Sequence, residues 1–241
     1  MSKPSGICVI PVRAGSKTIP NKNLMKLKDT NLVRIAVKKA LDSRLFKKIV
    51  VTTDYTKNKL DLTDLTSSAL TTVIIHTRDR SLCTDKALMV DVVKDAVTRY
   101  GGSEPWVWLM QVTCPFTKIE DMVKIRKLLD STPGINSLIT FKPVKEHSNR
   151  TYSIKEKEDG SFAEAFKLRY TSYRNKQDLM TQYTRSGNIY VVRRECFEKE
   201  GNLEVKPIAS YFVDRITGIN IDDHEDVVLA KYWLNTGKVK I

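Results

Sequence analysis

The sequence predicts an α/β fold, a mostly parallel sheet with helices on both faces, and three observations carry that expectation. Short apolar runs rich in β-branched residues alternate with stretches of helical apolar spacing over roughly 140 residues. These runs are apolar at nearly every position, as buried parallel strands are, rather than at every second one. The 241 residues contain no Pro/Gly/Ser-rich linker, so a single core accounts for them.

In chain order, Gly6 to Val12 (GICVIPV) reads as the first strand. Asn31 to Leu41 sets Leu32, Val33, Ile35, Ala36, Val37, Ala40 and Leu41 at near-helical spacing. Lys47 to Thr53 reads as the second strand, Tyr55 to Ala69 as a helix, and Thr72 to His76 as the third strand. Ala87 to Tyr100 carries the helical stripe Leu88, Val92, Val93, Ala96 and Val97. Trp106 to Val112 reads as a strand, Ile119 to Leu129 as a helix and Ser137 to Phe141 as a strand. From Lys142 to Thr181 the composition turns polar with scattered aromatics, and Glu158-Asp159-Gly160 is a turn signal; an inserted hairpin or arm is expected there. Strand character returns at Asn188 to Val192 and at Gly218 to Asp222, before a helix over Asp226 to Leu234. The expected whole is one Rossmann-like domain, residues 1–241, with 142–181 as its arm.

Several function classes fall away on composition. The apolar run Ile7 to Val12 is too short for a membrane span and meets Arg13 at once, and no other stretch approaches eighteen consecutive apolar residues. Cys8, Cys83, Cys114 and Cys196 lack CxxC spacing and the three histidines form no metal-ligand pattern, so free thiols in a cytoplasmic protein are expected. The net charge is +13, and its distribution matters more than its size. Residues 1–50 hold twelve Lys/Arg against Asp29 and Asp42, which places +10 of the +13 in the first fifth of the chain. A polyanion belongs there, either a compact polyphosphate or a nucleic-acid backbone.

The loop after the first strand, Arg13-Ala14-Gly15-Ser16-Lys17-Thr18 with Pro20-Asn21-Lys22-Asn23, suits the compact polyphosphate. Gly15 lets backbone N–H groups approach an anion, and Arg13, Lys17 and Lys22 supply three cations within ten residues at a strand's carboxyl end. A P-loop is excluded, because Ser16 separates Gly15 from Lys17 and the required Gly spacing is missing. An ordinary basic surface loop is the bland alternative.

The segment Ile10 to Leu24, IPVRAGSKTIPNKNL, resembles the N-terminal signature of the acylneuraminate cytidylyltransferases, the CMP-sialic acid synthetases, with Thr18 in place of the usual Gly. Further segments agree in order. Arg78 to Asp85 (RDRSLCTD) is similar to the family's RP.EL..D, and Leu109 to Phe116 (LMQVTCPF) to its LLQPTSPL. Gly187-Asn188-Ile189-Tyr190 is similar to its NGAIY, and Gly218 to Asp226 (GINIDDHED) to its IDIDTPED. The resemblance implies transfer of CMP from CTP to an acidic 2-keto sugar, sialic or a related nonulosonic acid, with release of diphosphate. It implies CTP binding by Arg13, Ala14, Gly15, Ser16, Lys17, Lys22, Asn23, Arg78 and Ser81, with Arg13, Lys22 and Asp222 as the catalytic group. Mg²⁺ is implied as cofactor, held by Asp222 and by Asn220, which stands where relatives carry Asp. Residues two apart on a strand face one way, so both point to the ligand. Gln111, Arg150, Tyr183 and Arg185 are implied to hold the sugar, Arg150 by pairing with its carboxylate. Lys145 to Arg150 resembles the family's HHPLK, Arg174 to Leu179 its RQDLP, and Tyr183-Thr184-Arg185 its YR. A homodimer built through the arm is also implied.

Asp223 reads better as the cap of the last helix than as a metal ligand. Asp54 is left between orienting the nucleotide and capping the helix expected after it. The rival functions are a cytidylyltransferase for 3-deoxy-octulosonate or a phosphonate, and a catalytically degenerate transferase fold that binds nucleic acid. The last is disfavoured by the scarcity of aromatics among the N-terminal basic residues.

Overall fold

In the computed structural model of this chain, which describes residues 6–65, 67–68, 70–148, 151–155, 164–167 and 180–241, the first apolar run forms β1 (Gly6–Val12). Its side chains divide between two layers by the strand's two-residue period. Cys8, Ile10 and Val12 join one buried cluster, and Ile7 and Val9 join another. A strand apolar at every position is therefore covered on both faces. β1 pairs in parallel with β4 (Phe46–Thr53) on one side and β7 (Trp106–Met110) on the other.

Beyond β4 lie β6 (Thr71–Thr77), parallel to it, and the antiparallel β5 (Ser67–Ser68). Beyond β7 lie the antiparallel β11 (Tyr183–Arg193), then β8 (Ser137–Pro143) and its parallel neighbour β12 (Ile208–Phe212). The sheet order is β12-β8-β11-β7-β1-β4-β6-β5. The chain builds outward from β1 through β4 and β6, then returns to add β7 on the other side. That reversal opens a crevice beyond the carboxyl ends of β1 and β7. A small antiparallel pair, β2 (Lys26–Leu27) with β3 (Thr30–Asn31), precedes the first helix.

α1 (Leu32–Ser43), α3 (Ile119–Ser131) and α5 (His224–Asn235) contribute to the layer that holds Ile10, whereas α2 (Met89–Tyr100) and α4 (Arg194–Glu200) pack in the layer of Ile7 and Val9. Asn31 caps α1 by accepting the Arg34 N–H at 2.8 Å. Asp223 caps α5 in a reciprocal box with Asp226, as the sequence predicts.

Two expected elements do not form. Tyr55 to Ala69 contains a short 3-10 turn at Lys57–Lys59 and no α-helix among its described residues. Leu60 and Leu62 are buried while Asp61 between them takes a left-handed φ of 54°. Apolar residues two apart across a reversed backbone suit a loop pressed onto the core, and the Thr/Ser/Asn/Asp content favours turns over helix. Gly218 to Asp222 is likewise no ladder strand. Its Ile221 N–H donates to Thr113 O at 2.8 Å in the loop after β7, so it crosses that loop instead of joining the sheet. Alternation survives: Ile219 and Ile221 are buried, while Asn220 and Asp222 face outward.

Two compact units result, Met1–Phe141 with Arg185–Ile241, and Lys142–Thr184. The second contains the antiparallel pair β9 (Tyr152–Lys155) and β10 (Glu164–Lys167). Its Ser148 and Gln182 exchange two hydrogen bonds, 2.9 and 2.7 Å. Glu158-Asp159-Gly160 and the segment 174–179 lie outside the described residues.

Candidate functional site

A cleft of about 420 Å³ opens at the carboxyl ends of β1, β6 and β7. Its basic wall is the loop after β1. Pro11 and Arg13 leave the strand, Ser16 to Thr18 follow, and Lys22 and Asn23 return to the cleft from a 3-10 turn. That return is made by Asn21, which takes a left-handed φ of 53° and accepts the Tyr55 hydroxyl at 3.0 Å through its side-chain oxygen. Asn is among the few residues that adopt this conformation readily, which accounts for its place before Lys22. Asn23 is buried, and its amide donates to Arg13 O at 2.8 Å, so it braces the loop from within. Ala14 donates its N–H to Asp54 Oδ1 at 2.7 Å. Asp54 thus anchors the loop, and no α-helix follows for it to cap. Gly15 lies open to solvent and needs no left-handed backbone.

Charge in the cleft is arranged in two groups. Arg13 and Lys17 each lie 2.7 Å from one oxygen of Asp85. The Lys17 hydrogen bond first, then the charges of Lys17 and Arg13, hold the Asp85 carboxyl below its usual range despite some desolvation. Lys22 Nζ lies 3.3 Å from Asp222 Oδ1 and 3.4 Å from the Asp222 carbonyl, with its side chain 13% exposed. The other Asp222 oxygen accepts the Asn220 amide at 2.6 Å, and the Asp222 N–H is held by Asp226 at 2.9 Å. Residues 220 and 222 therefore share a face, as the two-residue spacing predicts.

Arg78 lines the cleft from the end of β6 yet is 6% exposed. Its guanidinium donates to Thr52 O at 2.8 Å, Thr52 Oγ1 at 3.3 Å and Leu82 O at 3.3 Å. Burial lowers its pKa. A buried cation answered by carbonyl dipoles leaves positive potential on the cleft floor, which favours an anionic ligand. Ser81 sits exposed on the turn Arg80–Cys83 and does not line the cleft; neither do Ala14 and Gly15.

The opposite wall is Gln111, Val112 and Thr113, just past β7. Gly187 adjoins it with φ +84°, and a Cβ there would stand 3.4 Å from Cys114 Sγ, 3.8 Å from Asn220 and 3.9 Å from Gln111 Oε1. Glycine supplies both the left-handed turn and the room beside Gln111. Asn188, 1% exposed, donates to Thr117 Oγ1 at 2.8 Å and Thr217 O at 2.9 Å, and so ties β11 to the two loops that carry Gln111 and Asn220. Arg185 does not line the cleft; its guanidinium engages Glu204. Tyr183 is exposed and belongs to the second unit, and Arg150 lies outside the described residues. No local sequence pattern marks a role for Asp85, Tyr55 or Thr113. The acid at position 85 was visible inside the RDRSLCTD stretch, but its partners lie some seventy residues away, and no local pattern announces them.

A sequence model of the family described as cytidylyltransferase matches residues 7–220, nearly the whole chain. This chain belongs to the cytidylyltransferase family. The N-acylneuraminate cytidylyltransferase of Escherichia coli is 26% identical over 224 residues, 93% of this chain and 51% of that protein. The chain thus spans about half the length of the first curated relatives it matches. A CMP-N,N'-diacetyllegionaminic acid synthase of Campylobacter jejuni is 21% identical over 239 residues, 95% of this chain and 94% of that one. Among solved structures, a CMP:2-keto-3-deoxy-manno-octonic acid synthetase complexed with CTP superposes with a TM-score of 0.66 at 14% identity, over 96% of this chain and 99% of that one. The family's sheet therefore underlies this member, and its strand ends carry the cleft.

Proposed function

We propose that this family member transfers CMP from CTP to an acidic 2-keto sugar of the nonulosonic class and releases diphosphate. The observation that supports it most is the cleft itself, which Arg13, Lys17, Lys22 and Gln111 line together at the carboxyl ends of β1 and β7. Phosphates suit the first wall, and a polyhydroxylated acceptor suits the second. The names of the E. coli and C. jejuni relatives support the choice of acid.

In this reading the hydroxyl on the sugar's anomeric carbon attacks the α-phosphorus and diphosphate leaves in line, so the protein acts by positioning and charge neutralisation. Arg13 and Lys17 take the phosphates farthest from the attack, and Lys22, fixed by both Asp222 contacts, steadies the reacting phosphate. Gln111 orients the acceptor beside Gly187.

Mg²⁺ fits the donor set in a restricted sense. Among the described residues no group of three or more His/Cys/Asp/Glu gathers for a metal, and Asp222 is one carboxylate already shared by Lys22 and Asn220. Mg²⁺ is commonly held by one or two carboxylates with substrate phosphates and water, which Asp222 can join. Bound there, the ion would add positive charge at the phosphates. Asn220, whose amide already donates to Asp222, orients that carboxylate and is the weaker ligand of the two.

The arm is proposed to serve a homodimer and, through Arg150 and Tyr183, the acceptor's carboxylate. The four cysteines are free thiols, which suits a reducing cytoplasm, and among the described residues no helix is long and apolar enough to cross a membrane.

Lys22→Ala and Asp222→Ala are expected to abolish diphosphate release from CTP and acceptor while circular dichroism and Tm stay near the parent. Parent-like turnover in both variants contradicts the assignment.

A further inference from the structure

We infer that Asp85 is a built-in counter-ion for the phosphate-binding cations, displaced by the incoming triphosphate and restored to Arg13 and Lys17 as diphosphate leaves. The inference rests on the reading of the cleft as a CTP site. Its two carboxylate oxygens each take one cation at 2.7 Å, the arrangement two phosphate oxygens would adopt between the same groups. All three side chains line the one cleft.

The anchoring of the segment determines which partner moves. The turn Arg80–Cys83 is held on the β4 end by the Arg78 bond to Leu82 O, and Cys83 Sγ donates to Asp79 O at 3.2 Å. Asp79 in turn pairs with Arg99 of α2 at 3.1 Å, so the turn's other acid is committed away from the cleft. Asp85 follows this braced turn with its side chain 44% exposed, and Lys17 opposite is 80% exposed. Lys17 is therefore free to follow a phosphate, while Asp85 has solvent beside it to enter. The Lys22–Asp222 pair is the contrast: Lys22 is largely covered and held twice.

Exposed ion pairs contribute little to folding, so fold stability does not explain this one. Its effect falls on binding. With Asp85 in place the Arg13–Lys17–Asp85 group carries one net positive charge instead of two, and a polyphosphate exchanges one anion for another. Affinity is moderated, and release is helped by a carboxylate ready to return.

Calorimetric titration of CTP and of inorganic diphosphate, without acceptor, into the parent chain, Asp85→Asn and Asp85→Glu tests this. Asp85→Asn is expected to bind both ligands about ten-fold tighter, with Asp85→Glu close to the parent. In turnover, Asp85→Asn should lower KM for CTP, lower kcat and become more sensitive to diphosphate, a split that a merely structural loss would not produce. Unchanged or weaker diphosphate binding by Asp85→Asn overturns the inference and leaves the CTP site standing. A parent chain that binds neither CTP nor diphosphate overturns the site reading and this inference with it.

Discussion

Asp54, at the end of β4, ties the backbone of the loop after β1 to the sheet by accepting the Ala14 N–H at 2.7 Å. Tyr55 also reaches this loop, at Ala14 O and Asn21, so the fold keeps other anchors and the bond's worth should surface in nucleotide binding rather than in global stability. Asp54→Ala is expected to raise KM for CTP about ten-fold, in line with loss of one charge-assisted hydrogen bond, with Tm nearly unchanged. Steady-state kinetics with Tm in parallel check this, and an unchanged KM removes Asp54 from the site. Legibility at this scale follows sequence distance. The Asp223 cap of α5 was readable because its partner, Asp226, is three residues on. Asp54 and Asp85 were not, since their partners lie forty and some seventy residues away and only the fold brings them near.

At the scale of elements, the strands of the sheet centre were legible because burial on both faces leaves an unmistakable composition. β1 occupies the expected residues, and β4 starts one residue early. Tyr55 to Ala69 misled because apolar residues at 60, 62 and 65 carry a period that neither helix nor strand owns; the core underneath, and not local preference, sets that path. The loop after β7 depends on a contact of the same hidden kind. Lys39 of α1 donates to Pro115 O at 2.6 Å, and burial lowers the Lys39 pKa from its ordinary value of 10.5 to about 8, against the opposing influence of Glu120. Between pH 8 and 10.5 the unfolded chain therefore binds more protons at this position than the folded one. By linkage this residue's contribution to stability is fully present above pH 10.5, declines through that window as the pH drops, and is lost below pH 8. Urea unfolding of the parent and Lys39→Met across this range should show the parent gaining on the variant as pH rises. A gap that moves the other way contradicts the assignment.

For the whole molecule, the charge of +13 loses much of its mystery in the fold. Among the described residues, seven of the N-terminal cations engage carboxylates or backbone carbonyls: Arg13, Lys17, Lys22, Arg34, Lys38, Lys39 and Lys48. Three of these face the cleft, Arg34, Lys39 and Lys48 tie the first helix and β4 to neighbouring segments, and Lys38 pairs with Asp42 within α1. A basic N-terminal fifth is thus partly an internal framework and partly the basic wall of the cleft, which leaves less of it for a nucleic-acid backbone. The sheet order reversing at β1 puts that wall opposite Gln111, an arrangement the element pattern predicted in outline and only the pairing of β7 to β1 completed. The central claim is that this crevice joins CTP to an acidic 2-keto sugar. The most direct test is diphosphate release with CTP, Mg²⁺ and a panel of sialic, legionaminic, pseudaminic and octulosonic acids together with phosphonates, run beside ATP, GTP and UTP as nucleotide controls. Release is expected only when CTP and a nonulosonic acid are present together; absence of release with every acid from folded protein contradicts the assignment.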